Sequence, residues 1–161
     1  MASAAETAIG KLQGQIGTPD GSGDWIEVDQ DRINLFADAT LDHQFIHIDP
    51  EKSAELSPYK VTIAHGFLTL SMVVHLGASV PRMDPAAYKG MVMGVNYGLD
   101  KVRFPSPVKV NSRIRARRTL VEAELKNPTT IQTKQLVTIE IEGEDKPGCV
   151  AESLSRLVYT D

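Results

Sequence analysis

A chain of 161 residues with 42% hydrophobic and 24% charged side chains has the size and make-up of one ordinary globular domain. Its net charge of -4 gives no global attraction to nucleic acid or to anionic membranes, so neither is expected as a partner. The lone cysteine, Cys149, has no internal disulfide partner, and Met1 to Thr7 lacks the basic and apolar regions of a secretory signal; both fit a cytoplasmic protein.

Residues 1 to 24, rich in Ala, Gly and Ser, read as a flexible lead-in with one short helix or strand, and 25 to 161 as the folded domain. Gly21-Ser22-Gly23 has no third glycine and no preceding strand, so it reads as a loop rather than a phosphate cradle. Asp29 is placed to cap a first helix whose inward positions, Ile33, Phe36, Ala37 and Thr40, follow the helical period and end near Thr40. Asp42 to His47 then falls in the exit turn. Asp49-Pro50-Glu51 signals the start of a second, short helix.

After the Ser57-Pro58-Tyr59 break, the uncharged run from His65 to Pro81 predicts a buried helix over about His65 to Ala78, apolar nearly all round and wrapped on several sides. Its Ser, Thr, Gly and second histidine make it a poor bilayer span, and His75 reads as a core residue. From Met91 the period becomes two. Met91, Met93, Val95, Tyr97 and Leu99 alternate, as do Ile131, Thr133, Gln135, Val137, Ile139 and Ile141. Arg113 to Glu122 and Cys149 to Tyr159 supply two more strands, separated by Asn127-Pro128 and by Gly143 to Gly148. Helices first and strands afterwards predict an α+β domain with an antiparallel sheet.

The chemistry sits in Asp42-His43-Gln44-Phe45-Ile46-His47, followed eighteen residues after His47 by His65-Gly66. On one helix, Asp42 and His47 would point about 140° apart, so a pair that acts together belongs to a turn. There a carboxylate and an imidazole can hold one water and move its proton. The first amides of the following helix supply an oxyanion site, which points to a carbonyl substrate. Alone, Asp42 and His47 are better explained as a turn aspartate and a surface histidine.

Asp42-x-Gln44-x-Ile46-His47 resembles the hydratase-2 motif, Asp-x-Asn-Pro-Leu/Ile-His, of the MaoC-like dehydratases and (R)-specific enoyl-CoA hydratases. Ala64-His65-Gly66-Phe67 resembles that family's second landmark, and the stretch from Asn96 to Val108, with Arg103-Phe104-Pro105, its third. The resemblance covers Trp25 to Tyr159 and is closest to the branch of nodulation-protein-N-like hydratases. It implies a single hot-dog fold, an antiparallel sheet wrapped around a central helix, assembled as a homodimer or a dimer of dimers. It implies reversible hydration of a trans-2-enoyl thioester of coenzyme A or acyl carrier protein, with no cofactor. Asp42 and His47 would handle the water and Gly66 the thioester oxygen, while Gln44, His65, Phe67 and Arg103 would contact substrate. His65 is better explained as a capping or core residue, and a packing glycine competes as the explanation of Gly66. Gln44 and Phe45 depart from the usual Asn and Pro; Gln keeps the amide on a longer arm.

The four histidines offer no converging set at ligand spacing, so no metal site is expected. Arg113, Arg115 and Arg117 read as a solvated face, with attraction of coenzyme A phosphates as the sharper alternative. A hot-dog thioesterase is the rival enzyme, and a non-catalytic thioester-binding subunit the rival outside catalysis. The absence of an acidic residue from Gly66 to Val80 weighs against the first, and the pairing of Asp42 with His47 against the second.

Overall fold

The computed structural model describes residues 2 to 160. Ser3 and Glu6 form a capping box at the start of α1, Ala4–Gln13, whose inward residues Ala5, Ala8 and Leu12 repeat every three to four positions. β1, Pro19–Ser22, and β2, Ile26–Val28, follow, and both pair with a later strand. Within the segment expected to be a lead-in, the loop expected at Gly21-Ser22-Gly23 is corrected in part. Leu12 is fully buried, and Gly21 and Ser22 lie in a strand rather than a loop.

Asp29 caps α2, Gln30–Thr40, by accepting from the Arg32 amide, and Asp49 caps α4, Pro50–Leu56, with Pro at its start, as the sequence signals predict. Between them lies a single helical turn, α3, Phe45–Ile48. The long apolar helix is broken at Met72 into α5, Gly66–Ser71, and α6, Val73–Ala78. Two expectations fail on it. His75 is exposed rather than in the core, and the helix is not wrapped all round, since Phe67 and Val74 face outward at 68% and 61% exposure.

The sheet is wholly antiparallel. It comprises β3, Met91–Arg103, β4, Ser112–Asn127, β5, Thr130–Ile141, and β6, Cys149–Tyr159, in the order β1-β4-β5-β6-β3, with β2 also on β4. Its inner face holds two apolar clusters. One packs Leu68, Met72 and Leu76 of α5 and α6 on Ile114, Ala116, Val137, Ile139 and Ala151; the other packs α1 on Leu120, Ile131 and Tyr159. A hollow of about 400 Å³ is lined by Val73, Val74 and Leu157 together with the polar side chains of Arg118, Gln135 and Ser153. The Arg118 Nε donates to Asp20 of β1 at 2.7 Å, and its other nitrogens donate to the Gly77 and Val80 carbonyls at the end of α6.

On the outer face the arginine stripe is spent on cross-strand carboxylates. Arg113 pairs with Glu142, and Arg115 and Arg117 both pair with Glu140. That is the solvated-face reading. β3 is an edge strand with Val92, Met93, Val95, Tyr97 and Leu99 all exposed.

Candidate active site

Leu41, in the left-handed conformation at φ 62°, ends α2 and turns the chain into Asp42. Asp42 therefore stands outside any helix, while His47 sits in the one-turn α3. That turn is anchored from three sides. The Ile63 amide donates to the Ile46 carbonyl at 2.9 Å, Gln30 of α2 donates to the His47 carbonyl at 2.7 Å, and the Ser53 hydroxyl of α4 donates to the Phe45 carbonyl. The His47 Nδ1 lies 2.7 Å from the Ile63 carbonyl, which can only accept. Nδ1 thus carries the hydrogen, and Nε2 presents its lone pair.

His65, the residue before α5, is buried and stacks on His47 with ring centroids 3.7 Å apart and planes 23° from parallel. Its Nε2 donates to the Asp42 main-chain carbonyl at 3.0 Å and lies 4.0 Å from the Asp42 carboxylate. Asp42, His47 and His65 therefore converge, which the sequence reading of four scattered histidines did not foresee. The two imidazoles do not make a chelate, because lone pairs lie in the ring planes and these planes are nearly parallel, so the rings do not aim at one ion. His43 turns away to Asp38 at 2.8 Å.

Burial is the largest influence on His47 and lowers its pKa from the ordinary 6.5; the Ile63 hydrogen bond opposes this, His65 adds to it and Asp42 opposes it. The ring is therefore neutral, and able to accept a proton, down to a pH below that value. The expected result is a kcat/KM profile for turnover at this site whose acid limb lies below pH 6.5. An acid limb above it would contradict the role of His47 as the titrating base.

Gly66 opens α5, whose first turn has no side-chain cap, so its leading amides lack helical acceptors. A Cβ at Gly66 would lie 2.9 Å from the Phe104 ring, so glycine is needed for packing as well as for access to the amide. A depression of about 280 Å³ beside it is lined by Tyr59, Ile63, Phe104 and Val108, among others. Phe67 meets Phe104 edge to face at 6.1 Å. Arg103, exposed at the end of β3, donates to its neighbour's carbonyl, that of Val102. Gln44 caps α3 by position only, with its side chain exposed. The cluster thus unites Asp42, His47, His65 and Gly66, with Phe67 at its edge; no contact ties the side chains of Gln44 and Arg103 to it. Sequence reasoning missed Gln30, the Ile63 carbonyl and the Phe104 ring. Only Phe104 had a signal, as a member of the third landmark.

Residues 11–142 match the family model of the MaoC-like domain. The chain belongs to that family. It is 46% identical over 153 residues to 3-hydroxyacyl-thioester dehydratase Z of Mycobacterium tuberculosis, covering 94% of this chain and 96% of that protein. It is also 46% identical over 155 residues to nodulation protein N of Rhizobium leguminosarum bv. viciae, covering 96% and 93%. Among solved structures it resembles an R-hydratase of Pseudomonas aeruginosa with a TM-score of 0.69 and 20% identity over 90% of this chain and 83% of that one. The likeness to a monoamine oxidase regulatory protein of Archaeoglobus has a TM-score of 0.71 and 22% identity over 91% and 92%. The architecture is the hot-dog fold expected from the motifs.

Proposed function

We propose that this protein hydrates trans-2-enoyl thioesters to (R)-3-hydroxyacyl thioesters and runs the reverse dehydration. The observation that carries the reading is the free His47 Nε2, its ring fixed by the Ile63 carbonyl, in one cluster with the Asp42 carboxylate and one residue from the uncapped start of α5. Membership of the family, and 46% identity to a protein named as a 3-hydroxyacyl-thioester dehydratase, support it.

In this reading Asp42 orients a water and the His47 Nε2 takes its proton as the water oxygen bonds to C3. The electron pair of the double bond shifts toward the thioester, and the Gly66 amide receives the charge on the carbonyl oxygen. C2 then takes a proton back from the His47 imidazolium, so that one water is added and both residues return to their starting states. Gln44, Phe67 and Arg103 contact the substrate outside this centre, and the thioester is carried by coenzyme A or acyl carrier protein. No step calls for a cofactor, and a lone buried Cys149 suits the cytoplasm. The direct test is loss of the conjugated enoyl-thioester absorbance of crotonyl-CoA. Release of free thiol instead would indicate a thioesterase.

The functional unit in this proposal is a homodimer. β3 leaves one edge unpaired and its large side chains exposed, and Phe67 and Val74 add apolar surface on the central helix. Sedimentation at micromolar concentration is expected to give about twice the 17.6 kDa chain mass, with activity lost as dilution dissociates it. A fully active species at the single-chain mass would overturn the assembly.

A further inference from the structure

We infer that His65 is a positioning residue for this reaction, one that locates Asp42, His47 and the Gly66 amide relative to one another without touching substrate. The inference rests on the hydratase reading above. The His65 side chain is only 3% exposed, which favours an indirect role over the direct substrate contact that the family resemblance implies.

Each part of the proposed chemistry is tied to this one residue. Asp42 follows the left-handed Leu41, which is 80% exposed, so apolar packing does little to hold the chain there. The bond from His65 Nε2 to the Asp42 carbonyl holds it instead. The His47 ring lies against one side of the imidazole, and Phe36 of α2 approaches it at 4.9 Å between centroids. The His65 carbonyl accepts from the Thr69 amide as the first helical bond of α5, which sets the direction of the adjoining Gly66 amide.

The remaining nitrogen supplies the second argument. With Nε2 donating to a carbonyl, His65 Nδ1 holds a lone pair, and it is the buried side-chain polar atom without a partner among the described residues. A phenylalanine would fill the space and stack without that cost. A local penalty kept in place points to a task other than stability. The task visible here is the donor on the opposite nitrogen, aimed at Asp42.

The test compares His65→Phe, which keeps a ring and loses the donor, with His65→Gln, which keeps a terminal N–H donor and loses the ring. Both are made in the full chain, with thermal melting confirming that they fold. His65→Phe is expected to lower kcat about tenfold or more with little change in KM, since a small misplacement of acid and base is costly. His65→Gln is expected to recover part of that loss. The acid limb of kcat/KM is expected to differ between the two variants, because the Asp42 charge opposes the burial shift of His47 and only His65→Gln keeps a donor to hold Asp42 in place. Asp42 is then the remaining titratable group facing that ring; α2 presents Phe36 and Gln30 to the site, and α4 presents Ser53.

A raised KM with unchanged kcat would overturn the inference in favour of a substrate contact. An equal kcat loss in both variants with the same acid limb in both would overturn it in favour of simple packing. Ring-nitrogen NMR titration of His47 separates this inference from the hydratase reading. A His47 titration that differs between His65→Phe, which frees the Asp42 carbonyl, and His65→Gln, which keeps a donor for it, supports positioning even if the wild-type chain hydrates nothing, and identical titrations in the two variants refute it.

Discussion

Asp42→Asn and His47→Gln are each expected to lower kcat for enoyl-thioester hydration by about a hundredfold or more, the range of general acid/base contributions. Asp42→Asn keeps the size of the side chain and removes the charge that faces His47. His47→Gln removes the Nε2 lone pair fixed by the Ile63 bond. Because both groups act on one water, the double variant is expected to be little worse than the weaker single one, and simple additivity would contradict a shared water. The fold should survive both changes: Asp42 is half exposed, and α3 stays anchored by the Ile63, Gln30 and Ser53 bonds to its backbone. Assays on thermally intact protein decide the matter, and near-native kcat in either single variant removes that residue from the mechanism.

The second large effect is on stability. Arg118→Ala is expected to cost about 3 kcal/mol, the lower end of the range for breaking a buried ion pair, because the guanidinium keeps 13% exposure at the edge of the hollow. Three attachments disappear together: the Asp20 carboxylate of β1, itself buried, and the two carbonyls that end the central helix. A cation there also complements the negative end of the helix dipole. The loss reads as a melting point about 6 to 12 °C lower for a domain of this size, measured at fixed protein concentration so that assembly is held constant. Asp20→Ala should cost less, since Arg118 keeps both carbonyls and its access to water. A shift of only a degree or two for Arg118→Ala would show that the strut carries no weight.

Arg118 also illustrates what the sequence hid. It sits in a run of four arginines whose alternation puts the first three on one face, but the run alone does not say that those three meet glutamates while the fourth reaches across the inner face to a helix end. Local signals were legible wherever one short segment contains its own cause. Asp29 and Asp49 cap the helices they announce, and the alternation from Ile131 to Ile141 is a strand. The capping box of Ser3 and Glu6, and the spacing of Ala5, Ala8 and Leu12, were equally local and announced α1, although composition there suggested a loose segment. In the site, the Asp42 to His47 motif and the His65-Gly66 start could be read. Their convergence was expected from the chemistry and the family resemblance, but its cause could not be read, because it depends on Ile63 bridging to Lys109 and bonding to Ile46, pairings between distant segments. His75 was misplaced for a related reason. An apolar helix looks buried on every side, yet in the single chain one face is bare.

The central claim is water addition at C3 of an enoyl thioester by one Asp and His pair, and the configuration of the product tests it most directly. Crotonyl-CoA incubated with the purified protein is predicted to give intact 3-hydroxybutyryl-CoA of the (R) configuration, with no free coenzyme A, and to do so only while Asp42 and His47 are present. An (S) or racemic product, thiol release, or no turnover with coenzyme A and acyl carrier protein thioesters of several chain lengths would contradict it.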